Sequence, residues 1–254
     1  MCVKRLSFCA VLLTVSIFSW AHIHSDGVLG VGAEKYDRGL LVGKSGISGK
    51  ASAVAKTDKN GFYLDSDMYL PLQYKDVFPN RWKFGIGYLR KLTDHFTADF
   101  GCKYTFLQHL ENEHVKQWME YAVSVRSDLL MEPRFSLFYQ PKFKAWGGEF
   151  SFKYEFDLGI FDLNNCELVW DNLLGFYKVK HPYGKNGGIR NRKDHYKYIE
   201  TSLMLKKTVS EHLHFYLGPT FVYNTGGIKK NTLFNQATYK SHFCSLSFRM
   251  EFNF

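Results

Sequence analysis

Alternation of apolar and polar residues, repeated along most of the chain, is the feature that most limits how this sequence can fold. Residues 62–72 set Phe62, Leu64, Met68, Leu70 and Leu72 against Tyr63, Asp65, Asp67 and Tyr69. Residues 82–91 set Trp82, Phe84, Ile86 and Tyr88 against Lys83, Gly85, Gly87 and Lys91, and 96–106 set Phe96, Ala98, Phe100, Cys102, Tyr104 and Phe106 against Thr97, Asp99, Gly101, Lys103 and Thr105. The same pattern runs through 118–129, 134–142, 148–158 and 244–254. It is weaker at 166–178, 196–206 and 213–223, and poorer again at 28–36 and 47–56. A side-chain period of two means β-strand. The count is twelve.

Strand length then chooses the solvent. Strands of soluble sheets average about 5–6 residues, whereas a tilted strand crossing a bilayer needs about 9–11. These stretches run to about 9–13 residues. Charges sit in the middle of their polar faces, which a packed soluble core does not tolerate and a watery lumen does. Trp82, Tyr88, Tyr104 and Tyr223 lie toward the ends of apolar faces, as interfacial girdles require. The expected fold is all-β: a transmembrane antiparallel β-barrel of about twelve strands. It is closed, because an open edge in hydrocarbon leaves backbone donors and acceptors unpaired. Composition agrees: of 254 residues 17% are aromatic, with 23 Phe and 16 Tyr, too many for a disordered chain.

The first 21 residues read differently. Lys4 and Arg5 precede an apolar run from Leu6 to Trp20, and Ser19 and Ala21 supply small residues at a cleavage site. The expectation is a cleavable signal peptide at 1–21, followed by the barrel at 22–254 in the outer membrane. Beyond the signal stand Cys102, Cys166 and Cys244. Their odd number and wide spacing make no disulfide framework, and no zinc spacing is present. No metal or cofactor is expected, and the thiols read as small apolar filler.

Loop lengths offer an independent check. With both termini on the inner side, even-numbered connections should be short, and the candidate turns 58–60, 93–95, 130–132 and 210–212 fall there. The long polar connections 108–116, 180–195 and 224–240 fall on the outer side.

The C-terminal run from Cys244 to Phe254 alternates apolar residues and ends on Phe254. It resembles the terminal strand signal of Gram-negative outer-membrane proteins, which implies that Phe248, Phe252 and Phe254 engage the barrel assembly machinery. More narrowly, Tyr36-Asp37-Arg38-Gly39-Leu40, Glu120-Tyr121-Ala122-Val123-Ser124, Glu132-Pro133 and Leu137-Phe138-Tyr139 resemble segments of the TorF-type porins. Gln140 stands where that pattern has Asp.

Motifs for other chemistry fail on spacing. Gly39 to Ser45 has three residues between its glycines where a phosphate loop has four, and no strand–helix context follows. Gly30, Gly32, Gly85 and Gly87 lie inside strands, where small residues serve packing. A lipid-A deacylase or outer-membrane protease is the enzymatic alternative. It needs a nucleophile and base held together, but Asp194–His195 and Ser241–His242 are neighbours whose side chains point oppositely along a strand. No catalytic residue is assigned. The segment 178–194 carries Lys180, Lys185, Arg190, Arg192 and Lys193. It reads equally as a contact for anions and lipopolysaccharide phosphates or as a solvated loop. Nucleic acid is not an expected partner, since no stacking platform accompanies the formal charge of +9.

The expected function is a porin-like channel for passive diffusion of small hydrophilic solutes, with a weak anion preference. A lipid-modifying or surface ligand-binding barrel is the alternative. The candidate pore lining is Lys83, Asp99, Lys103, Glu120, Arg126, Asp128, Arg134, Lys142, Glu149, Lys153, Glu155, Arg249 and Glu251. A tight turn at 130–132 predicts that Asp128 faces Arg134 and that Glu120 faces Lys142. A loop at 143–146 predicts that Arg134 also faces Glu155.

Overall fold

In the computed structural model the alternating stretches become twelve strands. They are β1 (His22–Asp37), β2 (Leu40–Lys56), β3 (Asn60–Pro71), β4 (Asn80–Lys91), β5 (Phe96–Gln108), β6 (Gln117–Ser127), β7 (Arg134–Gln140), β8 (Ala145–Asp157), β9 (Cys166–Val179), β10 (Asp194–Ser210), β11 (Leu213–Asn224) and β12 (His242–Asn253). Each pairs antiparallel with its neighbours in sequence, and β1 pairs with β12, so the sheet closes into a barrel. Closure leaves no strand edge unpaired, the condition a spanning sheet must meet. The structure describes residues 22–37, 40–72, 80–108, 117–159, 163, 165–179, 194–225 and 242–253. The signal-peptide expectation, the cationic segment 180–193 and Phe254 lie outside them.

The two faces invert the usual order of a soluble protein. Outward positions carry exposed apolar side chains: Ile86 and Leu246 are each 60% exposed, with Phe62, Phe100, Tyr121 and Phe150 in the same state. Inward positions carry charges and hydroxyls. Cys102 and Cys244 stand in the outward rows beside Phe100 and Leu246, and all three described cysteines are free thiols.

The connections 57–59, 92–95, 128–133, 158–165 and 211–212 share one rim. At 92–95, Lys91 lies 2.9 Å from Asp94 and holds its carboxyl below the usual carboxylate range. On the opposite rim the β7–β8 connection is short. Pro141–Phe143 forms one 3-10 turn, and Lys144 follows in the left-handed region at φ 45°. The turn drops Phe143 into the barrel, where it is 1% exposed.

The register corrects the predicted charge ladder. Strand β6 ends at Ser127, and the chain turns over 128–133, with Met131 and Glu132 at positive φ. This loop is longer than a tight turn at 130–132, so Arg134 stands opposite Arg126 rather than Asp128. The β7–β8 turn lies at 141–144 rather than 143–146, so Arg134 also faces Ser151 and not Glu155. The partner of Arg134 thus moved by two residues across the first turn and by four across the second, even shifts that left every side chain on its face.

Candidate functional site

The inward faces enclose a polar cavity of about 620 Å³. Of the predicted lining, Lys83, Asp99, Lys103, Glu120, Arg134, Glu149 and Glu251 border it. Asp26, Lys50, Tyr63, Asp65, Asp67, Arg81 and Glu200 border it too and were not in the predicted set. Alternation had already placed Tyr63, Asp65 and Asp67 on the polar face. What it does not reveal is how far a side chain travels along the wall.

That travel organises one side of the cavity. The Tyr63 hydroxyl donates to Asp99 Oδ1 at 2.9 Å. Arg134 donates through Nη2 to Asp99 Oδ2 at 3.0 Å and to Ser124 Oγ at 2.9 Å. Lys103 Nζ stands 3.1 Å from Asp65 Oδ2. The network therefore ties β3, β5, β6 and β7 together. Its hydrogen bonds are charge-assisted, but the Arg134 side chain is 48% exposed, so the network stays open to the cavity.

Three predicted residues face inward but border other contacts. Lys153 pairs with Glu155, and Lys206 spans Glu155 at 3.3 Å and Glu167 at 2.7 Å. The Arg249 guanidinium lies 4.1 Å from the centroid of the Tyr216 ring, a cation–π distance. Arg126 shares the inward face of β6 with Ser124 and is exposed. Two predictions miss the wall. Asp128 belongs to the β6–β7 turn, where its backbone N–H donates to the His95 carbonyl at 3.0 Å. Lys142 belongs to the 3-10 turn and donates to the Gln117 carbonyl at 2.6 Å, so it does not pair with Glu120. Partial burial there lowers its ammonium pKa. Glu120 instead accepts from Gln140 Nε2 at 2.7 Å, and Gln140 Oε1 accepts from the Tyr177 hydroxyl. Of the assembly-signal residues, Phe248 faces outward and stacks on Phe215.

Beside the β7–β8 turn the interior is filled by side chains. Leu107, Trp118, Phe138, Phe143, Ala145, Tyr177, Val179, Tyr196 and Tyr198 form one buried apolar cluster on inward positions. The Trp118 and Phe143 rings meet edge to face with centroids 5.5 Å apart. This filling explains why alternation was weak in 166–178 and 196–206. There Tyr177, Tyr196 and Tyr198 of this cluster, and Val169 and Met204 of a second one, interrupt an inward face that otherwise carries Glu167, Asp171, Glu200 and Lys206.

Charge around the cavity also differs from the expected balance. Among the described residues Asp26, Asp65, Asp67, Asp99, Glu120, Glu149, Glu200 and Glu251 border it, against Lys50, Arg81, Lys83, Lys103 and Arg134. The lining therefore supplies no positive excess.

No protein family and no curated protein matches the chain in sequence. Solved structures do match in shape. An outer-membrane channel from Pseudomonas putida F1 has a TM-score of 0.51 at 9% identity, over 91% of this chain and 94% of that one. The KdgM porin has a TM-score of 0.48 at 11% identity, over 91% and 99%. LpxR from Salmonella typhimurium has 0.48 at 10%, over 90% and 99%. At such identities the likeness concerns the fold alone: this chain folds as a closed twelve-stranded antiparallel barrel, the architecture of outer-membrane channels.

Proposed function

We propose that the protein is an outer-membrane channel for passive diffusion of small hydrophilic solutes and has no catalytic role. One observation carries this reading: a hydrogen-bonded polar cavity lies inside a wall whose outside is apolar. An apolar exterior suits lipid, and a polar interior suits water and solutes. The short motifs shared with TorF-type porins support a distant kinship with them. A weak anion bias would come from the cationic segment with Lys180, Lys185, Arg190, Arg192 and Lys193, since the described lining favours acids. The same cations suit lipopolysaccharide phosphates. The N-terminal signal exports the chain, and the terminal Phe254 hands it to the barrel assembly machinery.

Planar-bilayer recording of purified, heat-modifiable protein tests the channel. Discrete conductance steps are expected, with a small anion-directed reversal potential that fades as salt shortens the Debye length below about 10 Å. A folded barrel that passes no current at any voltage overturns the reading. It would favour a closed, ligand-binding barrel, for which the apolar cluster at the outer end already speaks. Deleting Phe254 should lower assembled protein and leave export intact; normal assembly would remove the terminal signal.

A further inference from the structure

Tyr63 occupies an unusual seat. In the register it stands opposite Gly87, Gly87 opposite Gly101, and Gly101 opposite Ala122. One inward row thus runs from a large aromatic residue across three strands that carry almost no side chain. A Cβ on Gly87 would overlap the ring carbons of Tyr63, and one on Gly101 would meet its hydroxyl. The ring therefore lies along the wall, over β4 and β5, and does not stand up toward the barrel axis. Its hydroxyl is caught at 2.9 Å by Asp99, which Arg134 holds from the far side at 3.0 Å. Glycine inside a strand costs about 0.5–1 kcal/mol relative to alanine, so two adjoining glycines under one ring need a reason. The reason visible here is room for the ring. Tyr198 repeats the device across the barrel: it lies over Gly175 and its hydroxyl meets Glu149.

We propose that Tyr63 sets the bore of the lumen. Seated on Gly87 and Gly101 and anchored by Asp99, the ring is part of the wall and the cavity stays open beside it. Lifted from that seat, the same ring projects into the cavity it borders and narrows the path. The claim rests on the channel reading, because a bore has meaning only where solutes pass.

Single-channel conductance of the full chain in planar bilayers tests it, each variant first shown to be folded by its heat-dependent gel shift. Gly87→Ala places a methyl in the seat and should lower unit conductance to about half or less of the parent value. Tyr63→Ala should conduct at least as well as the parent, and the double variant Tyr63→Ala/Gly87→Ala should match Tyr63→Ala. If Gly87→Ala conducts like the parent, or if the double variant stays low, the ring is not what narrows the lumen and the proposal falls. Should Gly87→Ala fail to assemble, Tyr63→Phe decides. It keeps the ring and removes the anchor, so brief closures should become more frequent; an unchanged record overturns the proposal. A silent parent protein is a different result and ends the channel reading itself, with the bore along with it.

Discussion

Around Asp99 the inner wall is held by a tyrosine hydroxyl, a guanidinium and a serine, all bordering a cavity. At the end of β5–β10 beside the β7–β8 turn the same kind of inward position carries Leu107, Trp118, Phe138, Tyr177 and Tyr196, buried in one cluster with Phe143. Both regions are interior and both lie on alternating strands, yet one is wet and the other dry. The difference comes from what fills the space. In the wet region, glycines and small residues beside each long side chain let it lie flat and reach a polar partner two strands away. In the dry region two side chains also lie over glycines, Phe138 on Gly147 and Tyr198 on Gly175, but large residues from β5, β6, β7, β9 and β10 converge there and the β7–β8 turn adds Phe143. A barrel of this strand number lies between one filled by its side chains and one wide enough for an open channel, and here a filled end and a polar cavity stand in one interior.

Breaking the dry region should have the largest effect. Phe143→Ala removes a ring that is 1% exposed from the centre of the cluster, at a cost of about 3–5 kcal/mol in unfolding free energy. It should also raise conductance, because Phe138 of the same cluster borders the cavity. A denaturant midpoint in detergent that hardly moves would mean that the cluster is loosely packed. Breaking the wet region should cost less. Asp99→Ala leaves the Tyr63 hydroxyl and the Arg134 guanidinium without their shared acceptor, but water in the cavity partly replaces it. The expected loss is about 1–3 kcal/mol, and a loss as large as that of Phe143→Ala would show that water does not reach the site. The smallest effect belongs to the rim. Lys91→Ala removes the partner of the exposed Asp94 and should leave the unfolding midpoint at pH 7 unchanged within error. Because Lys91 depresses the Asp94 pKa, any contribution is present at neutral pH and fades only as the pH falls below about 4, through the carboxyl's own folded value. A midpoint shift at pH 7 comparable to that of Asp99→Ala would contradict this ranking.

Much of this was legible in advance, and the misses share a cause. Twelve strands and their order could be read because a period of two and a turn are local properties. Asp99, Lys103, Glu120, Arg134 and Glu149 were placed on the lumen for the same reason. The loop-length rule held less well, since the β8–β9 connection takes eight residues on the side expected to be short and the β1–β2 connection only two on the other. The partners of Arg134 were misread because the register depends on how many residues the β6–β7 and β7–β8 turns consume. Met131, Glu132 and Lys144 adopt positive φ without being glycine, so the signal that was missed was proline: Pro133 and Pro141 stand on either side of β7 and mark where the two turns end and begin. Lys142 was misassigned by the same two residues.

By itself the sequence determined which side chains face lipid and which face inward, because alternation along a strand assigns a face to each residue whatever its neighbours do. It determined closure as well, since no exposed edge survives in hydrocarbon. Only the tertiary structure decided that Tyr63 reaches Asp99 across Gly87 and Gly101, that Lys206 bridges Glu155 and Glu167, and that Phe143 packs against Trp118 inside the barrel. Those facts depend on register, on strand tilt and on the volume left by residues far apart in the chain. Volume is a property of neighbours in space, and no local pattern encodes it.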